Sequence, residues 1–242
     1  MRIRAAATSG IFVSVSLAAF SFFVGSGLRA QQPSLTPQKH LTVMGCIDVP
    51  AGQARPEFGC FNIATEKALQ FPATNLYWHL RTFPNRSAAE AAKSPTGMVV
   101  EEDGRVWQSE FGGHDLALHG GQPVAVIGPL QLPAAKSYTA VLSYAVLRPG
   151  DRSMVHTHAG PEAWYMLAGE QCLETPTGTR KAKAGETMSV APNLPMELAI
   201  TGAAQRKSLV LVIYDSSQPQ AIPSDWKPLG GCTSQSRPHA LP

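Results

Sequence analysis

The chain is poor in charge. Lysine, arginine, aspartate and glutamate make up 15% of its 242 residues, and no dense run of lysine and arginine occurs. Binding to a phosphate backbone needs such a patch, so the composition argues against nucleic acid as a partner. Also absent are a C-x2-C pair, a G-x-S-x-G elbow, a glycine-rich phosphate loop and an H-E-x-x-H helix. Cysteine-rich zinc sites, serine-hydrolase chemistry, nucleotide phosphate binding and zincin chemistry therefore lack their usual signatures. Cysteine is scarce, with four residues: Cys46, Cys60, Cys172 and Cys232. Long apolar runs are scarce too; the one at 11–24 (IFVSVSLAAFSFFV) is too short for a comfortable membrane span.

What is plentiful is turn chemistry. The 21 glycines and 20 prolines divide the chain into short apolar stretches, which points to a mainly β fold rather than a helical bundle. The first thirty residues stand apart. Arg2 and Arg4 precede the apolar run, and Gly25 to Ala30 supply small residues before Gln31. This is the three-part layout of a secretory signal, with cleavage expected after Ala30; an uncleaved anchor is the alternative. Residues 1–30 carry three arginines and no acid, so their removal leaves seventeen basic and seventeen acidic side chains and a formal net charge of zero. The expected location is secreted or periplasmic, with no stable membrane span after cleavage. An oxidising compartment allows disulfides, and four cysteines have three pairings. Cys46–Cys60, closing a Pro/Gly-rich loop, and Cys172–Cys232, tying the tail down, are preferred over the other pairings and over free thiols.

The remaining organisation reads as a polar linker at 31–41, an N-terminal α+β block at 42–135, a strand-rich region at 136–216 and an irregular tail at 217–242. In the first block, strands are expected at 58–69 and 75–82, a short helix at 85–93 capped by Asn85 or Ser87, and a hairpin over 98–110 turning at Asp103-Gly104. Val124 to Ile127 reads as a buried strand. A partial echo of 161–176 at 56–72 leaves open a degenerate second barrel, or a contribution of this block to the main one. Beyond residue 138, short strands alternate quickly with turns, as in a sandwich or jelly roll.

One stretch carries chemistry. His156 and His158 lie two apart on a strand, so both imidazoles share a face. Ala159-Gly160-Pro161 reverses the chain and brings Glu162 back beside them. Two neutral imidazoles and a carboxylate form a facial set for a divalent metal with open positions for water, oxygen or substrate. By strand alternation Met154, Trp164 and Met166 share that face. They would line an apolar pocket for a small molecule, or else be ordinary barrel packing.

The stretch resembles the first motif of the cupin superfamily, Gly-x5-His-x-His-x3-Glu-x6-Gly, through Gly150, His156, His158, Glu162 and Gly169. The resemblance covers about residues 136–216. It implies a mainly β fold, a cupin jelly-roll barrel with a small N-terminal α+β extension, and one divalent ion: iron, manganese, zinc or copper. The second motif, Gly-x5-Pro-x-Gly-x2-His, is matched loosely at 185–196. Gly185 fits, Ala191 replaces proline, Asn193 replaces the second glycine, and Met196 stands in the place of the fourth ligand. Met196 could be a soft thioether ligand, a non-ligand beside a working triad, or the mark of a weakened site; His79, His114 or His119 could stand in. The resemblance implies a metal-dependent oxygenase or isomerase acting on a small molecule, in which Glu162 could also shuttle a proton. A small-molecule-binding barrel without catalysis and a barrel with a vestigial site are the alternatives. No catalytic residue is assigned, and whether the protein is an enzyme stays open. Frequent dimerisation in the family implies a homodimer.

Overall fold

The computed structural model describes residues 40–71 and 75–232. The signal sequence expected at 1–30, nearly all of the linker at 31–41 and the last ten residues of the tail lie outside the described residues. In chain order the elements are β1 (Thr42–Val43), β2 (Gly59–Leu69), β3 (Leu76–Phe83), α1 (Arg86–Ala92), β4 (Met98–Glu102), β5 (Arg105–Gly112), β6 (Gln122–Leu130), β7 (Tyr138–Leu147) and β8 (Arg152–Ser153). There follow β9 (His156–Thr157), β10 (Glu162–Ala168), β11 (Glu170–Thr175), β12 (Gly178–Lys183), β13 (Thr187–Val190), β14 (Glu197–Ile200), β15 (Arg206–Asp215) and β16 (Ile222–Pro223). Among the described residues, no helix is long and apolar enough to cross a membrane.

Two five-stranded sheets, β1-β8-β14-β11-β12 and β13-β10-β15-β7-β2, make the jelly roll. Their inner faces meet in one core, where Trp164, Met166 and Val210 of the second sheet pack with Leu173, Ala182 and Leu198 of the first. A four-stranded sheet, β4-β5-β3-β6, covers the outer face of the second sheet. There Trp78, Leu80, Trp107 and Phe111 pack on Leu142, Tyr144, Leu209 and Leu211. The middle sheet is thus covered on both sides. That is why β7 (YTAVLSYAVL) is buried at every position and reads as a continuous rather than alternating run.

Local chemistry sets the smaller elements. Asn85 caps α1 by accepting from the Ala88 N–H at 2.9 Å. Asp103 and Gly104 both take positive φ, as a two-residue type I′ hairpin requires, and join β4 to β5. Both disulfides follow the preferred pairing, Cys46–Cys60 and Cys172–Cys232.

One alternative left open is decided and three readings change. β1 pairs with β8 and β2 along β7, so the barrel sheets take two strands from the block assigned to 42–135. The strand over 124–127 is an edge: Ile127 is buried but Val126 is 49% exposed. β12 (GTRKAK) has too many charges to read as a strand, yet pairs with all of β11; charged residues suit an exposed sheet edge. Finally, the tail is not wholly irregular, because β16 pairs with β9 beside the histidines.

Candidate metal centre

His156 sits on β9, and Glu162 opens β10 after the turn that follows His158. The turn is tight. A Cβ on Gly160 would lie 1.8 Å from the Ile213 carbonyl oxygen, so only glycine fits against β15 there. Ile213 N–H in turn donates to the Pro161 carbonyl at 3.2 Å. Asn193 has φ of 57°, as a residue replacing glycine in the second motif must, and its N–H holds the His158 carbonyl at 2.8 Å. Side-chain exposure falls to 4% for His158 and 6% for Glu162.

The imidazoles are perpendicular, 4.9 Å between centroids. Each turns Nδ1 to a backbone carbonyl, His156 to Met154 at 2.8 Å and His158 to Gln220. A carbonyl only accepts, so Nδ1 of each ring carries the proton and Nε2 of the neutral ring presents a lone pair. Backbone carbonyls fix ligand tautomers in this way in metal sites. The His158 Nε2 lies 3.0 Å from Glu162 Oε2. They stand as a close pair at ion-pair distance, and neither has any other hydrogen-bond partner. Two lone pairs at that distance repel unless a proton or cation lies between them.

The electrostatics differ between the rings. Burial, joined by the nearby His158, lowers the His156 pKa against the pull of Glu162. Burial also opposes charge on His158, but the Glu162 carboxylate beside it, with the Gln220 carbonyl, outweighs burial and raises its pKa.

The donor atoms of His156, His158 and Glu162 all lie within 4.8 Å of one another. Two imidazole nitrogens and one carboxylate oxygen, buried and with two orphaned atoms aimed together, fit a divalent cation. The three histidines expected as stand-ins lie elsewhere. His79 is on β3 and bonds Gly113, while His114 pairs with Asp115 and is exposed, as is His119.

Met196 pairs with His156 through both backbone hydrogen bonds, 3.2 and 3.0 Å, in the register of the fourth motif position. Its side chain is fully buried in the barrel core beside residues such as Trp164 and Leu198.

A cavity of about 410 Å³ opens from the triad. Its wall is mostly apolar and includes Leu41, Val43, Ile47, Phe58, Phe61 and Val212. Of the three pocket residues expected from strand alternation, none lines it. Met154 is 41% exposed, and Trp164 and Met166 are fully buried in the core. Trp164 instead borders a small space of about 30 Å³ beside the triad, with Arg206, Glu162 and His156. The strand stub at 152–157 is too short and bent for period-two alternation to hold through Met154. The real wall comes from 41–47 and 56–61, held by distant pairings: the buried Asp151 carboxylate accepts the Leu41 N–H at 2.7 Å, and Met154 N–H donates to Val43. The sequence signal for Asp151 was its place in the motif turn. The Gln220 carbonyl left no signal, because every residue has one.

No family model and no curated protein matches the chain. Among solved structures, parts of the chain match cupins. A cupin superfamily protein from Desulfitobacterium hafniense is 16% identical over 31% of this chain and 68% of its own, with a TM-score of 0.29. A cupin 2 conserved barrel protein from Salinispora arenicola is 22% identical over 32% and 65%, TM-score 0.30. The DMSP lyase DddQ from Ruegeria pomeroyi is 17% identical over 35% and 43%, TM-score 0.32. These matches each cover about a third of the chain; the described residues themselves form a two-sheet β-barrel with a His/Glu triad able to hold a metal.

Proposed function

We propose that this protein is an exported cupin that binds one divalent metal through His156, His158 and Glu162 and acts on a small molecule held in the adjoining cavity. The observation that carries this reading is the pair of orphaned buried atoms, His158 Nε2 and Glu162 Oε2, 3.0 Å apart at the end of an apolar cavity. Leaving such atoms unpaired costs about 1–3 kcal/mol each; a proton shared between them or a bound cation removes that cost, and the cation also engages His156. When bound, the ion supplies Lewis acidity or a site for oxygen, as an isomerase or oxygenase requires. The chain's own residues do the rest. The Met154 and Gln220 carbonyls hold both imidazoles in the ligand tautomer, and Phe58, Phe61 and Val212 keep water from the bound molecule. Glu162 can pass a proton to a ligand atom placed beside it. The two disulfides suit an oxidising compartment.

A binding role without turnover is favoured by one observation: among the described residues, no titratable side chain beyond the triad lines the cavity to relay protons. Elemental analysis of the purified protein tests the metal, and His156→Ala should lose it. Oxygen uptake and product analysis with candidate small molecules then separate enzyme from binder. A wild type that neither takes up divalent ions nor changes stability with chelator would overturn the metal reading.

A further inference from the structure

The charge around the triad is unbalanced in a way that selects a ligand. Arg206 is buried at 1% exposure at the start of β15, and its guanidinium donates to the neutral Gln171 carbonyl. Its Nε is buried without a partner. Among the described residues no salt bridge neutralises it, and Glu162 is the carboxylate that shares a small space of about 30 Å³ with it. That space has room for about one or two waters and no organic group. With the imidazoles neutral, Glu162 and Arg206 cancel, so a divalent ion leaves two uncompensated positive charges in a low-dielectric interior. Among the described residues, the cavity wall in front supplies no anion other than Glu162 and no lysine or arginine. Besides the triad, Gln220 is the polar side chain among the described lining residues, and the rest is mainly aliphatic, aromatic or disulfide surface.

We infer that the cavity takes a small anionic chelator with an apolar body, one that places two anionic or carbonyl oxygens at the triad and an aromatic or branched aliphatic portion against Phe58, Phe61 and Val212. The inference rests on the metal reading above. It excludes phosphorylated sugars, whose hydroxyls and second charge would lie unpaired against an apolar wall, and it excludes cations, which the buried charge repels. The cavity, at about 410 Å³, sits at the small end of ligand pockets.

The test uses the full chain loaded with Zn²⁺, with benzohydroxamate as probe, because it is a monoanionic two-oxygen chelator with an apolar ring. Acetohydroxamate has the same chelating group without the ring, and benzamide has the ring without chelation. Titration calorimetry should show benzohydroxamate binding at least about tenfold tighter than acetohydroxamate, with benzamide undetected. The metal-free protein should bind none of them. Ile47 lines the cavity while 59% exposed, so Ile47→Asp should fold normally and keep its zinc. It should weaken benzohydroxamate by about tenfold by placing a like charge at the wall. Zinc bound one to one with both hydroxamates equal, or with glucose 6-phosphate or benzylamine preferred, overturns the ligand class and leaves the metal site standing. Absence of zinc binding overturns both.

Discussion

Two buried carboxylates in this molecule have opposite fates. Glu110, on β5 in the outer sheet, is fully occupied by its own chain: Ser94 N–H donates to Oε1 at 2.9 Å, and Ser94 Oγ donates to Oε2. Gly97 packs so closely that a Cβ would lie 2.4 Å from Oε1. Glu162, on β10 in the barrel, has an oxygen with no partner, facing a histidine nitrogen with none. Both residues are nearly inaccessible, at 1% and 5% exposure. Burial of a charge therefore does not mark a functional site. What marks it is whether the fold has already satisfied the group. Glu110 is a staple between a loop and a sheet, whereas Glu162 is prepared for something the chain does not itself provide.

The comparison can be broken most severely at Gly160. Gly160→Ala forces a methyl into the Ile213 carbonyl, so it should cost about 3 kcal/mol or more and displace Glu162 from the histidines. Thermal unfolding together with metal content would check this; unchanged values would mean the turn is looser than described. Glu110→Ala should act on one side of the comparison only. Leaving the Ser94 donors unpaired should cost about 2 kcal/mol in urea unfolding while metal stoichiometry stays unchanged.

A smaller effect concerns Glu174 on β11, a third carboxylate satisfied by the chain. Burial alone would raise its pKa, but backbone N–H groups of Cys232, Gly231, Leu229 and Gly230 overcome it and lower the value. A carboxyl whose folded pKa is depressed contributes stability above its unfolded pKa, and that contribution is lost as pH falls through the folded value. Relative to Glu174→Gln, the wild type should therefore be more stable near neutrality, and the advantage should shrink as pH falls below the usual carboxylate value. Urea unfolding across that acid range reads it; a pH-independent difference would refute the clamp. The smallest effect is expected at Met196. Because its backbone pairs with His156 in register, Met196→His should add a fourth nitrogen and tighten zinc by roughly tenfold. No change would place its side chain away from the ion.

The triad was legible because its signal is local. His156, His158 and Glu162 lie within seven residues, and strand periodicity with one turn brings them together. The Asp103-Gly104 hairpin and the Asn85 cap were legible for the same reason. The cavity wall was not. Leu41 and Phe61 reach the triad through pairings of β1 with β8 and β2 with β7, at least 69 residues apart in sequence, and Ile47 follows by bridging to Phe61; apolar patterning does not encode such partners. Trp164 and Met166 do share the inward face with Glu162 but pack in the barrel core, the alternative left open above, whereas Met154 lies where the strand is broken and the alternation ends. The role of Gln220 was invisible because it uses a backbone atom, and Gly160 lies between the motif's fixed positions.

The most direct test is a Co²⁺ titration of the purified wild type beside Glu162→Gln and Glu110→Gln, followed by visible absorption. The account predicts saturation at one ion per chain in the wild type and in Glu110→Gln, and no saturable signal in Glu162→Gln. Equal behaviour of Glu162→Gln and the wild type, or no saturable binding in the wild type, would contradict it.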